Sequence, residues 1–405
     1  MTKEQVVVDI EIGGTVRPQF ERVAEAMGKN FASGKEVGAG VCVYHRGEPV
    51  VDIWAGAADP EAKRPWQQDT MAALASTTKA MAAGAALLLV ERGELELDAP
   101  VARYWPEFAA QGKGEITVRT VLSHQSGLVT LEGCPLSLES MKDGGHAIID
   151  ELAASTPEWE PGTAHGYHGL TIGHLIGGIV HAITGQTVGT FFASEIATPR
   201  GLDCYIGLPE EYLPRVAAII PPSDEEIMAG FKLPGMEKMG AAINDPSSLP
   251  YRALFGSIDM TFATANDPSN VLVEAPSSDG VATATSLARY FAMLIGEVDG
   301  APALLSRALM QQARTVHCQG EDRVLLMPTA WGLGFSLPHG PLFATRPRLG
   351  EAFGHGGATG SFALADPERE LAFAYIPNRM SELLEGGDLR VDNLVDAVYA
   401  SVDGD

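Results

Sequence analysis

The segments of this chain with strand character lie at its two ends, with a long helical stretch between them, and that placement limits the fold more than any other feature. Near the start, residues 39–44 and 49–54 are short β-like runs, and His45-Arg46-Gly47-Glu48 between them suits a hairpin connection. Strand patterning returns only in residues 331–337, 352–355, 361–365 and 371–376, with Asp366-Pro367-Glu368-Arg369 as a turn. From Ser76 to about Ile196 the pattern is helical and punctuated by Gly and Pro. It includes residues 79–91 stopped by Gly93 and 170–184 stopped by Gly185. Helical spacing also covers residues 16–31 and 389–402. The expectation is an α/β chain of the α+β type. Residues 1–75 and 320–405 form a discontinuous α/β domain, and residues 76–319 form a mainly helical domain.

Residues 221–250 combine several Pro and Gly with Met228, Phe231, Met236 and Met239, without a sustained period of either kind. A loop this long inside a folded domain is usually functional, and its apolar content predicts a lid over a pocket.

Composition narrows the partners. With 45% hydrophobic and 20% charged residues among 405, the chain has the material for a large core and is not disordered. Its 28 basic and 52 acidic residues leave a formal net charge of −24, with no basic block. Nucleic acid and anionic membranes are therefore not expected partners. No apolar run reaches the roughly 18 residues of a membrane span, and the first residues lack the pattern of a secretory signal, so a cytoplasmic location is expected. Cys42, Cys134, Cys204 and Cys318 are scattered without CxxC spacing and are expected as reduced thiols, neither zinc ligands nor a redox pair.

Three short segments carry chemistry. In Ser76-Thr77-Thr78-Lys79 the serine stands where a helix begins and the lysine one turn on, on the same face. A desolvated lysine there can take the serine proton, although a capping serine with a solvated lysine has the same spacing. Pro161-Gly162-Thr163-Ala164-His165-Gly166-Tyr167-His168-Gly169 is a loop leading into the next helix, and its tyrosine is a candidate proton relay or an aromatic staple. Phe353-Gly354-His355-Gly356-Gly357-Ala358-Thr359-Gly360 ends a strand without bulky side chains after the histidine. An amide near Ala358 can join that of Ser76 as an oxyanion hole, or the segment can be a tight turn.

In order and context these three segments resemble the serine β-lactamase and DD-peptidase superfamily, and most closely its family VIII carboxylesterase branch. Leu122-Ser123-His124-Gln125-Ser126-Gly127-Leu128, Leu95-Glu96-Leu97-Asp98-Ala99-Pro100 and Trp331-Gly332-Leu333-Gly334-Phe335 extend the resemblance over about residues 20–380. The resemblance implies an antiparallel sheet flanked by helices, a mainly helical domain, and the active site between them. By position it implies Ser76 as the acylated nucleophile and Lys79 with Tyr167 as the general base. His355, Gly356 and Gly357 take the place of the strand motif beside the site, with Ala358 next to them at the oxyanion. Metal and organic cofactors are not implied.

Two departures bear on substrate. The superfamily's lactam-cleaving members usually carry Asn two residues after the tyrosine and Lys at the start of the strand motif, where this chain has Gly169 and His355. A histidine near its ordinary pKa is mostly neutral at pH 7, so the positive charge for a substrate carboxylate is absent. A neutral ester of short to medium acyl chain is the better fit, with acyl transfer to an alcohol or amine, or lactam and amide hydrolysis, as the alternatives.

Other classes fit less well. No Gly-Xaa-Ser-Xaa-Gly elbow is present, against an α/β-hydrolase. His165, His168, His174 and His181 cluster without an HExxH pattern, against a metallohydrolase. A non-catalytic descendant would be expected to lose Ser76, Lys79 or Tyr167. His124 reads as a hydrogen-bonding residue, and His355 as a residue that shapes the acyl pocket or packs the strand edge. A small-molecule ester is the expected partner, and a homo-oligomer is compatible with the sequence.

Overall fold

Arg46 and Gly47 both take positive φ, 55° and 75°. This is the two-residue hairpin geometry whose twist matches the strands it joins. Those strands are β2 (Gly38–His45) and β3 (Glu48–Asp59), and β1 (Gly13–Val16) pairs with the far side of β3. The computed structural model describes residues 10–230, 236–259, 265–338, 349–381 and 388–404. Late in the chain come β4 (Phe353–Gly356), β5 (Phe362–Asp366) and β6 (Leu371–Pro377). The six strands form one antiparallel sheet in the order β1-β3-β2-β6-β5-β4, and the short strand Arg64–Pro65 also pairs with β3. The seam lies between β2 and β6, where Val41 stands opposite Tyr375, so the two ends of the chain are joined in one sheet.

Period-two side chains explain how that sheet is covered. Along β6, Leu371, Phe373 and Tyr375 pack with α1 (Glu21–Ala32) and the C-terminal helix α5 (Leu389–Asp403). Ala372, Ala374 and Ile376 face the other way, where α4 (Ala284–Ile295) lies on β2, β5 and β6. The alanines on that face let α4 approach the sheet. With both faces covered, β2 is buried almost throughout, and each fully buried Val or Leu contributes about 2 kcal/mol. Helix α2 (Thr78–Glu91) is apolar on all sides and buried from Thr78 to Leu89, as expected of a central helix. It packs against α3 (Ile172–Thr184), and Tyr290 of α4 donates to the Ala80 carbonyl at 2.9 Å.

Several elements differ from the sequence reading. Residues 331–337 are not a strand. The strand is Pro328–Trp331, paired with Cys318–Glu321, after which Gly332-Leu333-Gly334 turns the chain and Gly332 N–H donates to Phe335 O at 2.8 Å. Val16 ends β1, and α1 starts only at Glu21, because Pro18 opens a separate turn. Residues 221–250 contain the helices Asp224–Gly230 and Glu237–Ala242, each too short to show a period, and a third begins at Leu249. Phe231 of the expected lid lies outside the described residues. Gly280–Ala282 and Cys204–Ile206, within the stretch read as helical, form a small antiparallel sheet with Ala72–Ala73 from before it, and α4 packs on the large sheet. Strands of two or three residues leave no alternation to read.

Among the described residues no single helix is long and apolar enough to cross a membrane. The one pair that passes together, Ile172–Thr184 with Val188–Arg200, is bent by 69°, and its first helix is largely buried in the core.

Candidate active site

The turn before α2 brings Ser76 to the edge of the large sheet. Ala75 holds φ at +43°, a left-handed conformation uncommon for a residue with a Cβ, and so strains the backbone directly before Ser76. Neighbours fix this conformation. Leu74 N–H donates to Gly280 O at 2.8 Å, Thr78 Oγ1 to Ala75 O at 2.6 Å, and Ser361 Oγ to Leu74 O at 2.6 Å. Thr77 Oγ1 lies 2.9 Å from Ser361 Oγ and 3.3 Å from the His355 carbonyl, which ties the turn to β4 and β5.

Around Ser76 the structure brings together two of the residues singled out in the sequence. Lys79 Nζ donates to Ser76 Oγ at 3.0 Å and to the Ser277 carbonyl at 2.8 Å. Tyr167 Oη donates to Ser76 Oγ at 2.7 Å, and Lys79 Nζ stands 4.8 Å from the centre of the tyrosine ring. All three are buried, with 8%, 1% and 0% of Ser76, Lys79 and Tyr167 exposed. A hydroxyl at hydrogen-bond distance from two proton-carrying groups in a dry setting is suited to proton exchange.

The loop under Tyr167 is held at three successive amides. Gly166 N–H donates to His124 O at 3.1 Å, Tyr167 N–H to Asp322 Oδ1 at 2.9 Å, and His168 N–H to His124 Nδ1 at 3.0 Å. His124 is thus a hydrogen-bonding residue, as read from the sequence. The Tyr167 ring stacks on Trp331, with the planes 4° apart and the centres separated by 5.4 Å.

His355, Gly356, Gly357 and Ala358 sit across from the serine turn. His355 is buried and turned inward. It faces Tyr167 and Trp331 at ring distances of 6.2 and 5.9 Å, with Nδ1 2.6 Å from its neighbour's Gly356 O. It makes ring contacts with the tyrosine but no hydrogen bond to Ser76, Lys79 or Tyr167 among the described residues. Gly357 is required by space: a Cβ there would lie 2.2 Å from Leu74 O and 3.1 Å from Ser76 N. The Ala358 carbonyl accepts from Ser381 N–H at 3.1 Å, while its own N–H donates to no described residue. A side chain at Gly169 would have to move its neighbours, because a Cβ would meet Leu254 Cδ2 at 2.8 Å and Tyr167 Cε1 at 3.2 Å.

Sequence reasoning missed four contributors: Ser277, Asp322, Leu254 and the stacking role of Trp331. Only Trp331 belonged to a segment already noted. The histidines of the 165–181 stretch diverge. His165 Nε2 meets Thr329 Oγ1 at 3.1 Å, His168 Nε2 meets Ser126 Oγ at 2.7 Å, and His181 lies against His146. Among the described residues no three His, Cys, Asp or Glu side chains are placed to hold a metal.

Burial keeps several of these rings neutral. It pushes His355 down to about 3, aided by Lys79 beside it, His168 and His174 down to about 4, and His124 well below its usual 6.5. Such a histidine takes up its proton only on unfolding. Between 6.5 and its folded value the unfolded chain therefore holds more protons, and stability falls as pH falls. Burial holds the Glu36 and Asp279 carboxyls up to about 7 against Arg390 and Lys79. Those two act in the opposite sense, keeping protons below pH 7 that the unfolded chain releases. Burial also lowers His45 and His317 and raises Glu274, so six histidines stand against three carboxyls, and Tm is predicted to be lower at pH 5 than at pH 7.5. A Tm that is flat or rises on acidification, measured by scanning calorimetry, would contradict these assignments.

Comparison with known proteins places this arrangement. The family model described as beta-lactamase matches residues 20–396. The chain is 35% identical over 375 residues to the esterase/beta-lactamase LipL of Mycobacterium tuberculosis, covering 91% of this chain and 83% of that protein. Its fold superposes on a crystal structure described as a family VIII carboxylesterase with a TM-score of 0.84 and 34% identity, covering 97% of this chain and 100% of that one. It superposes on EstA from Arthrobacter nitroguajacolicus with a TM-score of 0.82 and 32% identity, covering 96% and 98%. With the antiparallel sheet, the buried central helix and the serine at its start all in place, and the family match running nearly end to end, the chain belongs to the beta-lactamase family.

Proposed function

We propose that this protein is a serine carboxylesterase of the family VIII type, acting in the cytoplasm on uncharged esters of short to medium acyl chain. The observation that carries the reading is the single buried Ser76 Oγ within 3.0 Å of both Lys79 Nζ and Tyr167 Oη. Ser76 Oγ attacks the ester carbonyl while its proton passes to the Lys79/Tyr167 pair, which reacts one proton short of lysinium plus phenol, so that the neutral Lys79 amine or the Tyr167 phenolate is the acceptor. The N–H groups of Ser76 and Ala358 hold the oxyanion, and Gly357 lets the chain after His355 approach the turn that carries Ser76. The pair returns the proton to the leaving alcohol, leaving an acyl-enzyme. Water then repeats the sequence, giving its proton to the pair and freeing the acid. The chemistry needs neither a metal nor an organic cofactor. Transfer of the acyl group to an alcohol or amine uses the same groups, and no feature of the site selects for it.

Two features favour esters over lactams. Leu254 fills the space beside Gly169, so the wall next to Tyr167 is apolar and has no amide to grip an acylamide. His355 stays neutral through the working range, so the strand offers no cation to a substrate carboxylate. Met239, with Met236 against it, belongs to the same hydrophobic cluster as Tyr167 and Trp331, which supports an apolar acyl pocket. The four unpaired cysteines fit a reducing compartment.

The test is turnover of p-nitrophenyl butyrate and nitrocefin by the same preparation. Ester hydrolysis should exceed lactam hydrolysis by about 10²-fold or more in kcat/KM, whereas comparable nitrocefin turnover would contradict the ester reading. Gly169→Asn should lower ester kcat by about tenfold, since its side chain must displace Leu254 and press on the Tyr167 ring. Unchanged kcat in that variant would mean that the wall beside Tyr167 yields freely.

A further inference from the structure

The middle amide of the Tyr167 loop is held by a residue outside every motif so far discussed. Asp322 follows the strand Cys318–Glu321, is 0% exposed, and lies 155 residues from Tyr167 in sequence. Its Oδ1 accepts from the N–H groups of Tyr167, Val324 and Leu325, each at 2.9 Å. Its Oδ2 accepts from Thr329 Oγ1 at 3.1 Å and, at a longer 3.4 Å, from Trp331 Nε1. Thr329 Oγ1 in turn meets His165 Nε2, two residues before the tyrosine. Arg323 N–H closes the arrangement by donating to the His165 carbonyl at 3.1 Å.

The bonds to Val324 and Leu325 are those of an ordinary turn headed by an aspartate, which would hold the 322–327 connection by itself. The remaining bonds reach the three things that set where the tyrosine sits: its own main-chain nitrogen, the indole beneath its ring, and the start of its loop through Thr329 and His165. The phenol has to stay at the 2.7 Å it keeps from Ser76 Oγ, and a displacement of about 1 Å costs on the order of 10² in rate.

We propose that Asp322 is a positioning residue of the proton relay, fixing the main chain at Tyr167 and the Trp331 indole under its ring so that the phenol oxygen stays in reach of Ser76. The proposal rests on the reading of Tyr167 as part of the general base.

A double-mutant cycle tests it, with kcat and KM for p-nitrophenyl butyrate referred to active serine titrated by a phosphonate. Asp322→Asn keeps an acceptor for the turn amides and loses the acceptor at Oδ2. It should lower kcat by about tenfold or more and leave KM within about twofold. In a Tyr167→Phe background the same substitution should cost less than about twofold, because the group it positions is gone. Thr329→Val, a milder change, should lower kcat about threefold with the same loss of effect in Tyr167→Phe, and carries the test if Asp322→Asn does not fold. An equal fractional loss on both backgrounds would make Asp322 merely structural and overturn the proposal. So would wild-type kcat in the Asp322 and Thr329 variants beside a slow Tyr167→Phe. Wild-type kcat in Tyr167→Phe alone would instead remove the base assignment, and this proposal with it.

Discussion

Ser76→Ala is expected to lower p-nitrophenyl butyrate turnover by on the order of 10⁴-fold or more, to the level of residual binding-site catalysis. The size follows from what the substitution removes. In the proposed mechanism the hydroxyl is the atom that forms the acyl bond, and it lies within hydrogen-bond reach of both Lys79 Nζ and Tyr167 Oη. Deleting one oxygen from a position already 8% exposed leaves the turn's other bonds, from Leu74, Thr77 and Thr78, in place. The variant should therefore fold with a Tm close to wild type, so that lost turnover reports lost chemistry. Turnover within tenfold of wild type, with fold checked by circular dichroism, would mean that another nucleophile carries the reaction.

Lys79→Ala should lower kcat by about 10²- to 10³-fold with KM within about threefold. The Lys79 amine touches Ser76 Oγ, through which the proposed proton transfer runs, and the Ser277 carbonyl, while the apolar wall at Leu254 is untouched. Because Lys79 is 1% exposed, truncation also leaves a cavity and an unpaired carbonyl. Lys79→Met, which fills the volume without the charge, separates the two effects. It should be as slow as the alanine variant and more stable. A methionine variant with wild-type kcat would assign the proton transfer to Tyr167 alone.

The pairing of Ser76 with Lys79 was legible in the sequence because it is local. Ser76 and Lys79 lie three residues apart at a helix start, and helical spacing alone puts them on one face. The sheet was legible in part. The late strands carry apolar runs that read as strand, whereas Trp331-Gly332-Leu333-Gly334-Phe335 looks like a strand by composition and turns directly after Trp331. Asp322, Leu254 and Ser277 were not legible. Each acts across 85 to 198 residues of chain, Asp322 on Tyr167, Leu254 on Gly169 and Ser277 on Lys79, through contacts that leave no local pattern. His355 illustrates the limit in another way. Its identity pointed to a neutral group, which its burial supports, but only the fold reveals that the ring lies against Tyr167 and Trp331.

The central claim is the covalent intermediate on Ser76. Rapid quenching of the wild-type enzyme during p-nitrophenyl butyrate turnover, followed by intact-mass and peptide mass spectrometry, tests it most directly. The account predicts a chain carrying one butyryl group on Ser76, formed during turnover and absent in Ser76→Ala. Turnover with no modified chain at any time, or a butyryl group on a different residue, would contradict it.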